Sequence, residues 1–205
     1  MFSRRSFLFS LCATTVALTL LVGANVNASA AAQTPVGFIR AAGQEAINSL
    51  TAKNLTDVER ENRFRAILEQ KFDIRVIARF TLGRYWRRAT DAQRKEYVQL
   101  FEDFIVQAYA ARFKNYSGEH FEVGQMRSIN DREQLVQSDL ILADGRKIPV
   151  HWRVRGNDEY RIVDVLVEGV SMAITQRDEF SAIINQNGGK IDGLLAALRK
   201  KTGKQ

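Results

Sequence analysis

The chain has 205 residues, 45% of them hydrophobic and 26% charged, the balance of a soluble globular protein of one or at most two domains. A single cysteine, Cys12, and two histidines, His120 and His151, exclude a four-ligand zinc site of Cys and His and an intramolecular disulfide. The 30 Lys and Arg outnumber the 23 Asp and Glu to give +7, a charge suited to nucleic acid, an anionic membrane or an acidic partner.

Residues 1–32 differ from the rest. Arg4 and Arg5 are their only charges, an apolar run follows from Phe7 to about Ala24, and small and polar residues lead to Ala28-Ser29-Ala30 and Ala30-Ala31-Ala32. That order is the order of a cleaved bacterial secretory signal, with 33–205 as one mature domain. Ser3-Arg4-Arg5-Ser6-Phe7-Leu8 resembles the twin-arginine export signal but carries Phe9 where that signal usually has Lys, so the general secretory and twin-arginine routes both stay open. Export removes Cys12 and two positive charges, and directs the remaining basic charge toward membrane lipid or an acidic partner rather than nucleic acid.

Periodicity divides the mature chain into a helical half, a strand half and a helical tail. Ile39, Ala42, Ala46 and Leu50 mark a helix over about 36–52. Thr56 with Glu59 forms a capping box for a second helix through Phe64, Ile67 and Leu68. Asp73 caps a short third helix that Gly83 stops. Thr90 with Gln93 opens a fourth, with Tyr97, Leu100, Phe101, Phe104, Ile105, Ala108 and Tyr109 on one broad apolar face.

From about Glu119 the period becomes two. Phe121 and Val123 mark a first strand and 134–143 a second, with Val136, Leu140 and Leu142 on one parity. In 147–155, Ile148, Val150, Trp152 and Val154 face one way, and Lys147, Pro149, His151, Arg153 and Arg155 the other. Ala143-Asp144-Gly145-Arg146 is a hairpin turn, Gly156-Asn157-Asp158 another, and 160–168 a fourth strand. The expected fold class is α+β: an antiparallel sheet of four to five strands, wetted on one face and covered by helices on the other. A helix over 176–185, a Gly188-Gly189 break and a tail helix through Ile191, Leu194, Leu195 and Leu198 complete the chain.

Phosphate-loop, dinucleotide, nucleophile-elbow and zinc-protease motifs are absent from the sequence. His151 lies on the wetted parity of its strand. Asp73 and Asp164 are carboxylates that could serve as acid or base, although a helix cap and a hydrogen-bonded structural role explain them more simply. The segment from Phe72 to Arg88 alternates five arginines with Phe80, Tyr85, Trp86 and aliphatic residues, the pattern of a rim between water and an apolar cavity, or of a solvated cationic face over a packed one.

The ending Leu82-Gly83-Arg84-Tyr85-Trp86, the helix start Thr90-Asp91-Ala92-Gln93 leading to Phe113-Lys114-Asn115-Tyr116, the strand end Val167-Glu168-Gly169-Val170-Ser171-Met172 and the tail Gly189-Lys190-Ile191-Asp192-Gly193-Leu194-Leu195 together resemble the MlaC family of periplasmic lipid-binding proteins, also called the toluene-tolerance Ttg2 family. The similarity spans essentially the whole mature chain and admits a branch associated with hopanoid metabolism. The resemblance implies a cone akin to nuclear transport factor 2 around an apolar cavity. It also implies a shuttle for phospholipid or a hopanoid-type lipid, with no cofactor and no metal. The implied partners are an inner-membrane ABC transporter complex with a membrane-anchored substrate-binding subunit, and an outer-membrane lipoprotein complex.

Joined with the alternation, this places Phe72, Ile77, Phe104, Tyr109, Val123, Leu140, Leu142, Val150, Trp152 and Val154 around lipid tails, and Arg79 and Arg84 at a headgroup rim. Parity past Gly124 and Asp164 is open, so Val165 and Val167 are not assigned. The rival readings are a periplasmic enzyme of the same cone fold acting on a hydrophobic polycyclic substrate, which needs a carboxylate or histidine deep in the cavity, and a chaperone with an exposed apolar groove.

Overall fold

A computed structural model of the protein describes residues 34–116, 119–157 and 159–204. The expected signal at 1–32, its boundary with the mature domain, and Asp158 of the expected turn lie outside the described residues.

The helices begin at the caps that the sequence supplies. Thr34 Oγ1 accepts the Gly37 N–H at 3.0 Å and Pro35 sits in the first turn of α1 (Pro35–Leu50), where its missing N–H costs nothing. Reciprocal boxes, Thr56 with Glu59 and Thr90 with Gln93, open α2 (Asp57–Lys71) and α4 (Asp91–Ala110), each satisfying two otherwise orphaned donors. Between them Asp73 accepts the Val76 N–H at 3.0 Å and starts α3 (Ile74–Leu82). Gly83, at φ 57°, ends α3 in a conformation that side-chain-bearing residues adopt only under strain. The chain turns there into a short 3-10 helix (Gly83–Arg87), and a second one (Ala111–Asn115) follows α4.

Five strands then form one antiparallel meander in chain order: β1 (His120–Asn130), β2 (Glu133–Ile141), β3 (Lys147–Arg155), β4 (Arg161–Val167) and β5 (Val170–Ser171). The two-residue β5 leads directly into α5 (Met172–Gln186), and α6 (Ile191–Thr202) closes the chain. α5 therefore starts four residues before the expected Gln176. The cause is local: Ser171 Oγ accepts the Ile174 N–H at 3.1 Å as its cap, and Asp164 Oδ1 accepts the Ala173 N–H at 3.1 Å. A register shift between Arg153 and Val154 leaves Val163 as an extra residue in β4, so parity inverts there. Val165 and Val167 consequently pair with Trp152 and Val150 and share their face of the sheet.

Two apolar cores hold these layers. One lies among the helices, where Tyr85, Tyr97, Phe101 and Phe180 pack with Leu194, Leu195 and Leu198. The other lies at one end of the sheet, where Ile39 of α1 meets Val136, Val154 and Ile162. Helices and sheet are joined where the Asp73 N–H donates to the Ile162 carbonyl at 2.9 Å. Between α2 and α4, Arg65 pairs with Glu102 and, at 2.7 Å, with the buried Asp103, and Lys204 reaches the same Asp103.

At the packed end of the sheet, Glu133 is clasped by two arginines of β3. Arg155 donates to Oε1 from Nε at 2.9 Å and from Nη2 at 2.6 Å, and Arg153 Nε donates to Oε2 at 2.6 Å. Burial pushes this carboxyl up, but the hydrogen bonds from Arg155 and Arg153 outweigh it and hold Glu133 below the usual carboxylate range. A carboxyl lowered on folding stabilises the fold above its unfolded value, about 4.3, and loses that contribution as the pH falls through its folded value. Glu133→Gln should cost about 1–2 kcal/mol at neutral pH, a figure discounted because the two guanidinium groups remain roughly 40% exposed. Urea unfolding as a function of pH checks this: the difference between wild type and variant should vanish at low pH.

Candidate functional site: an apolar cavity under the sheet

The inner face of the sheet is filled by side chains at one end only. At the other, Phe121 of β1, Leu140 of β2, Val150 and Trp152 of β3, and Val165 and Val167 of β4 face a cavity of about 800 Å³. These residues adjoin across the strands: Phe121 opposes Leu140, Val150 opposes Val167, and Trp152 opposes Val165. Trp152 is fixed by donating its indole N–H to Ser138 Oγ at 2.9 Å, and Ser138 passes a hydrogen bond on to the Val150 carbonyl.

The helices roof this space. Ile74, Ile77 and Thr81 of α3 recur at helical spacing on the wall, as do Phe101, Ile105 and Tyr109 of α4. Phe64 and Leu68 of α2 and Ala46 and Ile47 of α1 complete the roof. Gly43 lets α1 approach the sheet closely, since a Cβ there would stand 2.8 Å from the Phe121 ring. The volume lies toward the upper end of the ~300–1,000 Å³ typical of ligand sites, and its lining is more uniformly apolar than most.

Polar groups gather toward the rim. Arg112 lies over the Tyr109 ring at 4.9 Å from its centroid, and Tyr116 donates its hydroxyl proton to the Glu119 carbonyl. Glu168, Val170 and Gln176 also border the cavity. Glu168 (φ 51°) and Gly169 (φ 82°) make the left-handed turn that brings β5 back against β4. Deeper in, Thr81 Oγ1 and Tyr97 OH stand 2.8 Å apart, and burial pushes the Tyr97 phenol well above its ordinary range despite that bond. It stays neutral at any physiological pH.

Asp164 also borders the cavity, but both its oxygens are engaged. Oδ1 accepts the Val165 and Ala173 N–H groups at 2.8 and 3.1 Å, and Oδ2 accepts the Ser171 hydroxyl at 2.6 Å. That is the structural role considered for it, and Asp73 is likewise a helix cap. His120 sits 3.4 Å from Glu122 on the exposed edge strand. Among the described residues no group of three or more His, Cys, Asp or Glu is placed to hold a metal ion.

Of the residues expected around the cavity, Phe72, Ile77, Tyr109, Leu140, Leu142, Val150 and Trp152 stand on its wall. Three do not. Val154 is wholly buried and Val123 packs beside it in the core at the closed end, because α1 lays Ile39 across the sheet there. Phe104 stacks on Phe180 at 6.2 Å, under Lys201. The broad face of α4 serves two neighbours, with Tyr109 toward the cavity, Tyr97, Leu100 and Phe104 in the helical core, and Phe101 and Ile105 shared between the two. Arg79 and Arg84, expected at a headgroup rim, instead border a separate groove on the opposite side of α3, and among the described residues the arginine of the cavity lining is Arg112. The sequence signal that could have found Arg112 is its position one turn after Tyr109. The lining from α1 and α2 was visible only as helix periodicity, with nothing to say which side faced ligand.

The model of the MlaC protein family matches residues 40–200. The chain belongs to the MlaC family. A relative within reach of sequence comparison is the toluene tolerance protein Ttg2D of Pseudomonas putida, 23% identical over 181 residues, which span 85% of this chain and 84% of that one. A solved structure, the phospholipid-binding protein from Ralstonia solanacearum in complex with a phospholipid, superposes with a TM-score of 0.70 at 18% identity, covering 82% of this chain and 96% of that one. The likeness shows that this MlaC member has the same α+β fold, with its five-stranded antiparallel sheet.

The division of α4 gives a direct check. Tyr109→Ala should weaken uptake of the apolar fluorophore anilinonaphthalene sulfonate severalfold while lowering stability little. Phe104→Ala, which removes a partly buried ring, should cost about 1–2 kcal/mol in urea unfolding and leave uptake by the remaining folded protein unchanged.

Proposed function

We propose that this MlaC-family chain is a periplasmic carrier that holds the acyl tails of one phospholipid in the cavity beneath its sheet and leaves the headgroup at the rim. The observation that carries the reading is the cavity itself: about 800 Å³ walled mostly by aliphatic and aromatic side chains, with Arg112, Glu119, Asp164 and Glu168 the charged residues of its lining. The Ralstonia relative of the same fold was solved with a phospholipid, which supports phospholipid as the cargo class; the relatives lend no support to a hopanoid-type cargo.

Magnitudes explain the design. At roughly 0.8 kcal/mol per methylene, a sixteen-carbon tail left in water costs on the order of 12 kcal/mol, and two tails about twice that. Shelter in the cavity must therefore come close to shelter in a bilayer. If it were much weaker the lipid would not leave the membrane, and if much stronger it would not be released. Arg112, held over Tyr109, is positioned to offer a charge-assisted hydrogen bond to a phosphate at the rim. The sequence carries no phosphate-loop motif, so direction would be imposed from outside, through exchange with an inner-membrane ABC transporter complex and an outer-membrane lipoprotein complex. Export by a cleaved signal at 1–32 accords with this location.

The enzyme reading receives less support, since Asp164, the buried carboxylate of the cavity lining, is committed to three hydrogen bonds. Ala46→Trp tests the carrier reading by driving a ring from α1 into the tail space. The variant should fold with a melting temperature near that of wild type and lose at least tenfold in the amount of phospholipid it extracts from labelled vesicles. Undiminished extraction by the folded variant would contradict the assignment.

A further inference from the structure

The arginines that do not reach the cavity assemble elsewhere. At 100° per residue, Ile74, Ile77 and Thr81 occupy one side of α3, and Val76, Arg79, Phe80 and Gly83 the other. That second side borders a groove of about 610 Å³. Because Gly83 redirects the chain, Arg84 and Arg87 border the same groove, and Arg155 of β3 and Arg177 of α5 close it. Groove and cavity have no lining residue in common.

The charge in this groove is poorly compensated. Glu133 serves Arg155 but is shared with Arg153. Arg177 lies 3.6 Å from Asp178, an exposed residue, and over the Phe80 ring at 5.0 Å. Among the described residues, Arg84 donates only to neutral acceptors, Tyr85 OH at 2.9 Å and Asn185 Oδ1 at 3.5 Å. Arg79 and Arg87 are exposed, and among the described residues neither is in an ion pair. Like charges gathered in this way oppose one another, and an anion entering between them relieves that repulsion.

We propose that this groove docks an acidic segment of a partner protein, with carboxylates bound by Arg79, Arg84 and Arg87 and an apolar side chain set against Phe80 and Trp86. Three features select that occupant. Guanidinium groups pair with carboxylates through two parallel hydrogen bonds. Phe80 is 39% exposed beside them, and arginine interleaved with aromatic rings is the composition of protein–protein contact centres, whereas a free phosphate needs no ring. The groove also brings Arg79, Arg84 and Arg87 to one open depression beside Phe80 and Trp86, so one chain segment can meet them together. A partner seated here leaves the cavity border uncovered, since the two sites lie on opposite sides of α3.

The test measures fluorescence anisotropy of a labelled peptide of glutamates flanking a central phenylalanine, at about 0.15 M salt, where charges more than ~8 Å apart are largely screened. Arg79→Glu with Arg87→Glu should weaken binding at least tenfold. Phe80→Ser, which leaves the charge unchanged, should weaken it severalfold. The pair Arg40→Glu and Lys95→Glu, exposed residues of α1 and α4 outside both sites, should change it less than twofold. Lipid-loaded and delipidated protein should behave alike, so the result stands apart from the cargo assignment. Circular dichroism melts should match for all variants. The proposal is overturned if the distant pair weakens binding equally, if inorganic phosphate displaces the peptide and Phe80→Ser has no effect, or if the Arg79/Arg87 variant loses binding to phosphatidylglycerol vesicles while retaining the peptide.

Discussion

The structure depends on a sheet whose inner face is covered by its own chain at one end only. Protein interiors are normally packed to the density of organic crystals, and a cavity of about 800 Å³ with almost wholly apolar walls would offer water few partners. The fold is thus arranged around a guest of its own polarity. Stability must come from elsewhere: the helical core around Tyr97, Phe101 and Phe180, the smaller core of Ile39, Val136, Val154 and Ile162, and the capped helix starts. The charged clasps on the buried carboxylates Asp103 and Glu133 lie outside the cavity lining.

This division accounts for which features were legible from residues alone. Helix starts were readable because Thr56–Glu59, Asp73 and Thr90–Gln93 act through hydrogen bonds three residues long. Strand parity in β2 and β3 was readable because alternation is local. What escaped was set by distant contacts. Val154 continues the alternation of Val150 and Trp152, but only the path of α1 decides that Ile39 covers it. The extra residue Val163, which turns Val165 and Val167 inward, is defined by pairing across to β3, and Asp164 lengthens α5 through a bond from a different element. Arginine spacing in α3 could not reveal whether the charged or the apolar side faced the cavity.

α3 emerges as the wall between two different environments. Its Ile74 and Ile77 side borders the cavity; its Arg79 and Phe80 side borders a cationic groove. The basic excess of the chain is therefore not spread evenly, and a carrier whose cargo site and docking site lie back to back can be held by one surface while exchanging lipid through another.

The central claim is that the cavity holds a phospholipid by its tails. Native mass spectrometry of the protein purified from the periplasm, followed by extraction and identification of what it carries, addresses it most directly. The account predicts one diacyl phospholipid for each chain, released on organic extraction and taken up again from vesicles. A protein that arrives without lipid and takes up none from vesicles would contradict it.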